Sequence, residues 1–124
     1  MHKAGVHIFL GTDTTMDPHM GENAMELELY VEHGMTPMEA IQTSTIRAAE
    51  AVGLSNTLGS LEAGKLADLV AVEGDVLADI TNLQYKEKIR LVTNEGGIFV
   101  DTISSEHKYV IHPDPGQIKF IDNM

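Results

Sequence analysis

The tripeptide Gly11-Thr12-Asp13 is where this chain first offers chemistry, because its carboxylate follows the apolar, β-branched and aromatic run Val6-His7-Ile8-Phe9-Leu10. A carboxylate at the C-terminal end of a strand projects from a rigid support into the space above a barrel or sheet, where enzymes of such architecture place reacting groups. The same residue type also caps the following loop through its own backbone, and the tripeptide alone leaves both readings open. The six histidines, His2, His7, His19, His33, His107 and His112, show neither H-x-H nor H-x-x-x-H spacing. No pair of them therefore binds one ion from a single strand or helical turn. His7 reads as a strand residue, and His33 as a helix C-terminal residue whose cationic form suits the dipole.

Other chemistries find less support. Ser44, Ser55, Ser60, Ser104 and Ser105 lie in no G-x-S-x-G elbow, and Gly53, Gly59 and Gly64 punctuate turns without forming a phosphate loop. Glu26 and Glu28 stand two apart, so on a helix they point in different directions and make no carboxylate pair. Eight basic against nineteen acidic side chains give a net charge of −11, with no basic run, which works against nucleic acid and anionic membrane as partners. The absence of cysteine removes disulfides, thiolate metal sites and thiol nucleophiles together. No apolar run approaches the roughly 18 residues of a membrane span, and the apolar stretch after Met1-His2-Lys3-Ala4-Gly5 is too short for a signal peptide, so a soluble, cytoplasmic protein is expected.

These residues must be held by elements, and 43% hydrophobic composition is enough to build them around a core. Residues 6–10 predict a buried strand. Residues 14–21, with Pro18 and His19, predict a loop, and 22–33 a helix stopped by Gly34. Thr36-Pro37-Met38-Glu39 is a capping box, opening a helix whose Met38, Ile41, Thr45, Ala48, Ala49 and Val52 form one apolar, small-residue face before Gly53. A strand over 66–72, one helical turn over 79–83, and a hairpin of 89–93 with 98–100 around Asn94-Glu95-Gly96-Gly97 follow. Tyr109-Val110-Ile111 and Ile118-Lys119-Phe120-Ile121, separated by Pro113-Asp114-Pro115-Gly116, predict a second hairpin. Asp68 reads as a carboxylate accepting turn or strand hydrogen bonds.

In this order and spacing, the segments resemble the C-terminal portion of the metal-dependent amidohydrolase superfamily, in its imidazolonepropionase-like and prolidase-like branch. The resemblance covers residues 4 to about 101. It is carried by Ala4-Gly5-Val6 leading to Gly11-Thr12-Asp13, by His19-Met20-Gly21-Glu22-Asn23 and Glu26-Leu27, and by Gly34-Met35-Thr36-Pro37-Met38-Glu39-Ala40. Thr45, Ala48-Ala49, Leu58-Gly59-Ser60-Leu61-Glu62-Ala63-Gly64-Lys65-Leu66-Ala67-Asp68-Leu69-Val70, Val92 and Gly96-Gly97 continue it.

The fold class this implies is α/β: a C-terminal fragment of a (β/α)8 barrel, plus part of an accessory β-sandwich. Residues 1–58 would be the last barrel strand and its helices, 59–103 part of the sandwich, and 104–124 an added tail. A whole barrel takes roughly 250 residues, so 124 residues hold less than one. The resemblance makes Asp13 the last ligand of a divalent metal, zinc by preference, and the acceptor of a proton from the attacking water. His19 would sit at the same mouth, either touching substrate or serving as a plain loop residue. The family's H-x-H pair, its mid-barrel lysine or carboxylate, and its two further histidines have no counterpart here, and Asp13 alone does not complete a four-ligand zinc shell. Two expectations follow. One is a piece of an enzyme that hydrolyses amide, cyclic amide or dipeptide C–N bonds in its full-length context and is inactive alone. The other is a non-catalytic association module. Either would leave edges and apolar faces bare, so a homo-oligomer or a complementing barrel fragment is the expected partner.

Overall fold

Between α1 (Met25–Glu32) and α3 (Ile46–Ala51), helix α2 (Pro37–Ser44) opens on the capping box expected at Thr36. The computed structural model describes residues 4–13 and 22–104, together with the backbone of 108–114 and 117–121. The Glu39 amide donates to Thr36 Oγ1 at 3.3 Å, and the Thr36 amide donates to Glu39 Oε2 at 2.8 Å. Two donors at the helix start, neither with an intrahelical acceptor, are thereby satisfied. Helix α1 is shorter than the predicted 22–33, because residues 22–24 form a turn in which Met25 N bonds Glu22 O and Glu26 N bonds Asn23 O. Gly34, at φ 101°, terminates it as expected.

The single helix predicted over 36–52 is interrupted at Thr45, whose φ of −122° and ψ of −104° lie outside helical geometry. Three consecutive hydroxyls give the reason. Thr43 Oγ1 donates to Ala40 O at 2.6 Å, while Ser44 Oγ and Thr45 Oγ1 both donate to Ile41 O at 2.9 Å. Side chains that bond carbonyls three and four residues back compete with the helix ladder and bend it. The residues actually buried are Ala40, Thr43 and Ala49, whereas Met38 and Val52 of the predicted face stay 48% and 69% exposed. Positions counted across a break do not share a face.

The core lies in this helical layer. Leu27, Ala40 and Ile80 are buried together, with Leu10, Tyr30, Val31, Ile41 and Leu83 packed against them. Ile80 arrives on a 3-10 turn, Ile80–Gln84, in the place where a helical turn is predicted, and Asp79 Oδ1 fixes its start by accepting Thr81 N at 3.0 Å. Gln84 Nε2 ties the same turn to α1 by donating to Glu28 Oε2 at 2.7 Å.

The rest is an antiparallel meander, β1 (Leu69–Val72), β2 (Ile89–Asn94), β3 (Gly97–Asp101), β4 (Lys108–Asp114) and β5 (Gln117–Ile121), in that spatial order. The first hairpin closes through two residues, not four, since Asn94 pairs with Gly97 and the turn is Glu95-Gly96. Both turn residues have positive φ, 50° and 80°, as a turn matched to strand twist requires. The second predicted hairpin forms as β4 and β5, so the tail continues the sheet. No side chain of β1, β2 or β3 is buried. Among the described residues, no helix is long and apolar enough to cross a membrane.

Candidate functional site

Residues 6–10, predicted as a buried strand, adopt no regular secondary structure and lie outside the sheet, with Val6 50% and Phe9 55% exposed. A run of strand-forming residues becomes a strand only when a second strand takes its amides and carbonyls, and no described residue does so here. One backbone bond among the described residues holds the segment to the helical layer: Leu10 N donates to Thr43 O at 3.0 Å. Thr43 lies in the last turn of α2, where carbonyls lack intrahelical donors, so the interruption at Thr45 also serves to seat the segment. Leu10 packs on the core at the same point.

Asp13 follows three residues later, exposed, with φ 48°. Asp is one of the few non-glycine residues that adopt the left-handed region readily, and here its carboxylate stands exposed just past the apolar run. Among the described residues, no three His, Cys, Asp or Glu side chains come together in a group suited to an ion. Among the described residues, then, Asp13 has no second donor beside it that would complete an ion's shell. His19 lies outside the described residues, as do His2 and His107, and His112 is described only in its backbone. His7 is exposed. His33 Nδ1 lies 2.7 Å from Leu29 O at the end of α1, which accounts for it as a helix C-terminal residue.

Asp68 behaves as a structural carboxylate. Its Oδ1 accepts Glu95 N at 2.7 Å and clamps the β2–β3 turn, while Gly96 N reaches Ala67 O at 3.2 Å. A cluster that the sequence reading passed over is Ser60, Glu62 and Lys65. Lys65 Nζ donates to Ser60 Oγ at 2.5 Å, and Ser60 Oγ donates to Glu62 Oε1 at 2.5 Å. The serine bond first, then the Lys65 bond and charge, hold the Glu62 carboxyl below its ordinary range. A serine beside a lysine suggests nucleophile activation, but here the ammonium is the donor and cannot take the hydroxyl proton. The cluster instead pins the loop between Gly59 and Gly64. Its S-x-E-x-x-K spacing inside a glycine-bracketed loop was the available signal.

Residues 1–98 match the amidohydrolase family. The chain is 42% identical over 99 residues to an ochratoxinase of Aspergillus niger, covering 78% of this chain and 20% of that protein. It is 31% identical over 128 residues to an imidazolonepropionase of Shouchella clausii, covering 94% of this chain and 28% of the relative. Among solved structures it superposes on a Xaa-Pro dipeptidase with methionine bound in its active site, at a TM-score of 0.72 and 40% identity, over 79% of this chain and 23% of that one. The fold is thus that of a TIM-barrel-type superfamily, and the chain spans between a fifth and about a quarter of the length of these relatives.

Proposed function

We propose, from the premise that this chain belongs to the amidohydrolase family, that it is the part of a C–N hydrolase that supplies one active-site carboxylate, Asp13. The observation that carries the reading is the position of Asp13: exposed, just after an apolar run that lies within the matching residues 1–98. Residues 6–10 would be the last strand of the barrel, and residues 59–103 part of an accessory sandwich beside it. Amide, cyclic amide or dipeptide bonds are the substrate class, since the relatives include an imidazolonepropionase and a Xaa-Pro dipeptidase.

Asp13 would act as proton acceptor for the attacking water, a role that a solvent-facing carboxylate fills once a substrate carbonyl stands beside it. A divalent ion, zinc on the sequence expectation, would take Asp13 as one ligand and its remaining donors from outside this chain. His19 would lie at the same mouth, and the working location would be the cytoplasm. The chain alone is inactive on this reading, because one carboxylate without partners neither polarises the carbonyl nor orients water.

The test is hydrolysis of a dipeptide and of an N-acyl amide by the chain co-expressed with A. niger ochratoxinase from which the 99 matching residues have been removed. Activity should appear in the mixture and fall about a thousandfold or more with Asp13→Ala. Turnover that ignores Asp13→Ala would sink the assignment of Asp13. An assembled mixture without turnover would favour the non-catalytic association module.

A further inference from the structure

The interruption at Thr45 does more than bend the helix. In an unbroken helix the Thr43 carbonyl would accept the amide four residues on, that of Arg47. With Thr45 at φ −122° and ψ −104°, it accepts Leu10 N at 3.0 Å instead, so a carbonyl of the helical layer is given over to the segment that leads to Asp13. Leu10 is held a second time by its side chain, packed on the cluster of Leu27, Ala40 and Ile80. Two of the hydroxyls behind the break, Ser44 Oγ and Thr45 Oγ1, both donate to Ile41 O at 2.9 Å, and both residues are exposed. They fill no core position. What they set is the path of the backbone.

We infer that the hydroxyls of Ser44 and Thr45 are positioning groups for Asp13: by breaking the helix they free the Thr43 carbonyl, which fixes Leu10 and with it the place of the carboxylate three residues on. The inference rests on the reading of Asp13 as the proton acceptor. Three residues of chain reach about 10 Å at most, so an anchor at Leu10 confines Asp13 where an unanchored segment does not. Confinement matters to a proton acceptor, because a displacement of about 1 Å from the group it serves costs about a hundredfold in rate. Neither Ser44 nor Thr45 has to touch substrate for this. They act through Thr43 and Leu10.

The test compares the whole chain with the double variant Ser44→Ala, Thr45→Ala and with the conservative Thr45→Ser. In the double variant α2 should run on into α3, so that the Leu10 amide exchanges about tenfold faster and the Arg47 amide about tenfold more slowly than in the parent. The backbone order parameter of Asp13 should fall from about 0.8 to below about 0.6. In the mixture with A. niger ochratoxinase lacking the 99 matching residues, the double variant should lower kcat about ten- to a hundredfold and leave KM unchanged. Thr45→Ser keeps the hydroxyl and should match the parent in every one of these measurements. Should the double variant lose its far-ultraviolet helical signal, Thr45→Ala alone takes its place. Four outcomes overturn the inference: Leu10 exchange unchanged in the double variant; an Asp13 order parameter that stays at the parent value; a loss of order reproduced in full by Thr45→Ser; or an unchanged kcat in a mixture that loses turnover with Asp13→Ala. A mixture without any turnover removes the catalytic reading alone, and the expected changes at Leu10 and Asp13 then leave the placement of Asp13 by these hydroxyls standing.

Discussion

The helical layer and the sheet are made of similar amounts of apolar sequence, yet they finish in different states. Around α1 and α2, Leu27, Ala40 and Ile80 close to 5%, 0% and 6% exposure, whereas Val70 on β1 and Ile98 on β3 remain 56% and 40% exposed. The strands pair in series, but no side chain of β1, β2 or β3 is buried. A helix pair needs one turn of chain, here Ile80–Gln84, to cap its apolar stripe. A sheet has two faces, and Leu69-Val70-Ala71-Val72 is apolar on both, the pattern of a strand meant to be covered twice. Backbone pairing is a local matter for a meander, but covering its faces takes a second layer, which the described residues do not supply.

The widest gap should appear in paired core truncations. Leu27→Ala is expected to cost about 2–4 kcal/mol in urea unfolding, because it opens a cavity in a closed cluster. The matched Val92→Ala on β2 is expected to cost about 1 kcal/mol or less, since that side chain is only partly withdrawn from water. Equal losses would mean that the sheet has a core of its own.

Next in size is Gly59→Ala, where the loop crosses α3. A Cβ there would lie 2.7 Å from Ala49 Cβ and 3.0 Å from the Ile46 Cα, on a backbone at φ +94°. A loss of about 1–3 kcal/mol is expected. The same substitution at Gly64, φ +91° with open space around its Cβ, isolates the conformational part and should cost less. On the sheet side, Asp68→Ala removes the acceptor for Glu95 N, with an expected cost of about 1 kcal/mol. Its mark should be faster amide exchange at Glu95 and Gly96, with the amides of α1 and α2 unchanged.

The smallest effect is a pH dependence confined to the helical layer. The Tyr30 hydroxyl donates to the Glu26 carboxylate one turn back. Burial, then that bond, then the Glu26 charge raise the Tyr30 phenol to about 12 from 10.0. The folded state thus holds the proton more tightly than the unfolded chain, so the stabilisation is fully present below pH 10 and is lost as pH rises toward 12. Tyr30→Phe should flatten the urea midpoint between pH 9 and pH 11.5. Solvent access around the ring keeps the change small.

Much of this arrangement is written in local chemistry. The capping box at Thr36, the glycine stop at Gly34, the hairpin around Glu95-Gly96, the pairing of β4 with β5, and the structural role of Asp68 each depend on a few neighbouring residues, and each is legible in the sequence. The interruption at Thr45 is hidden from apolar spacing, since it comes from the hydroxyls of Thr43, Ser44 and Thr45 donating to carbonyls behind them. The Ser60–Glu62–Lys65 cluster is hidden in the same way, because its serine acts as a hydrogen-bond bridge and not as a nucleophile.

The sequence alone established the capping box at Thr36, the stop at Gly34, the two hairpins of the sheet, the family resemblance, and Asp13 as the residue to watch. Long-range contact decided the rest: which face of α2 is buried, that Ile80 completes the core, and that residues 6–10 find no strand partner among the described residues. The physical reason is one of range. Caps and tight turns are settled by hydrogen bonds within a few residues, while a strand or a buried face exists only when a distant segment supplies the other half of the contact. Where such a segment is present, as at Thr43 O for Leu10 N, the chain is held in place.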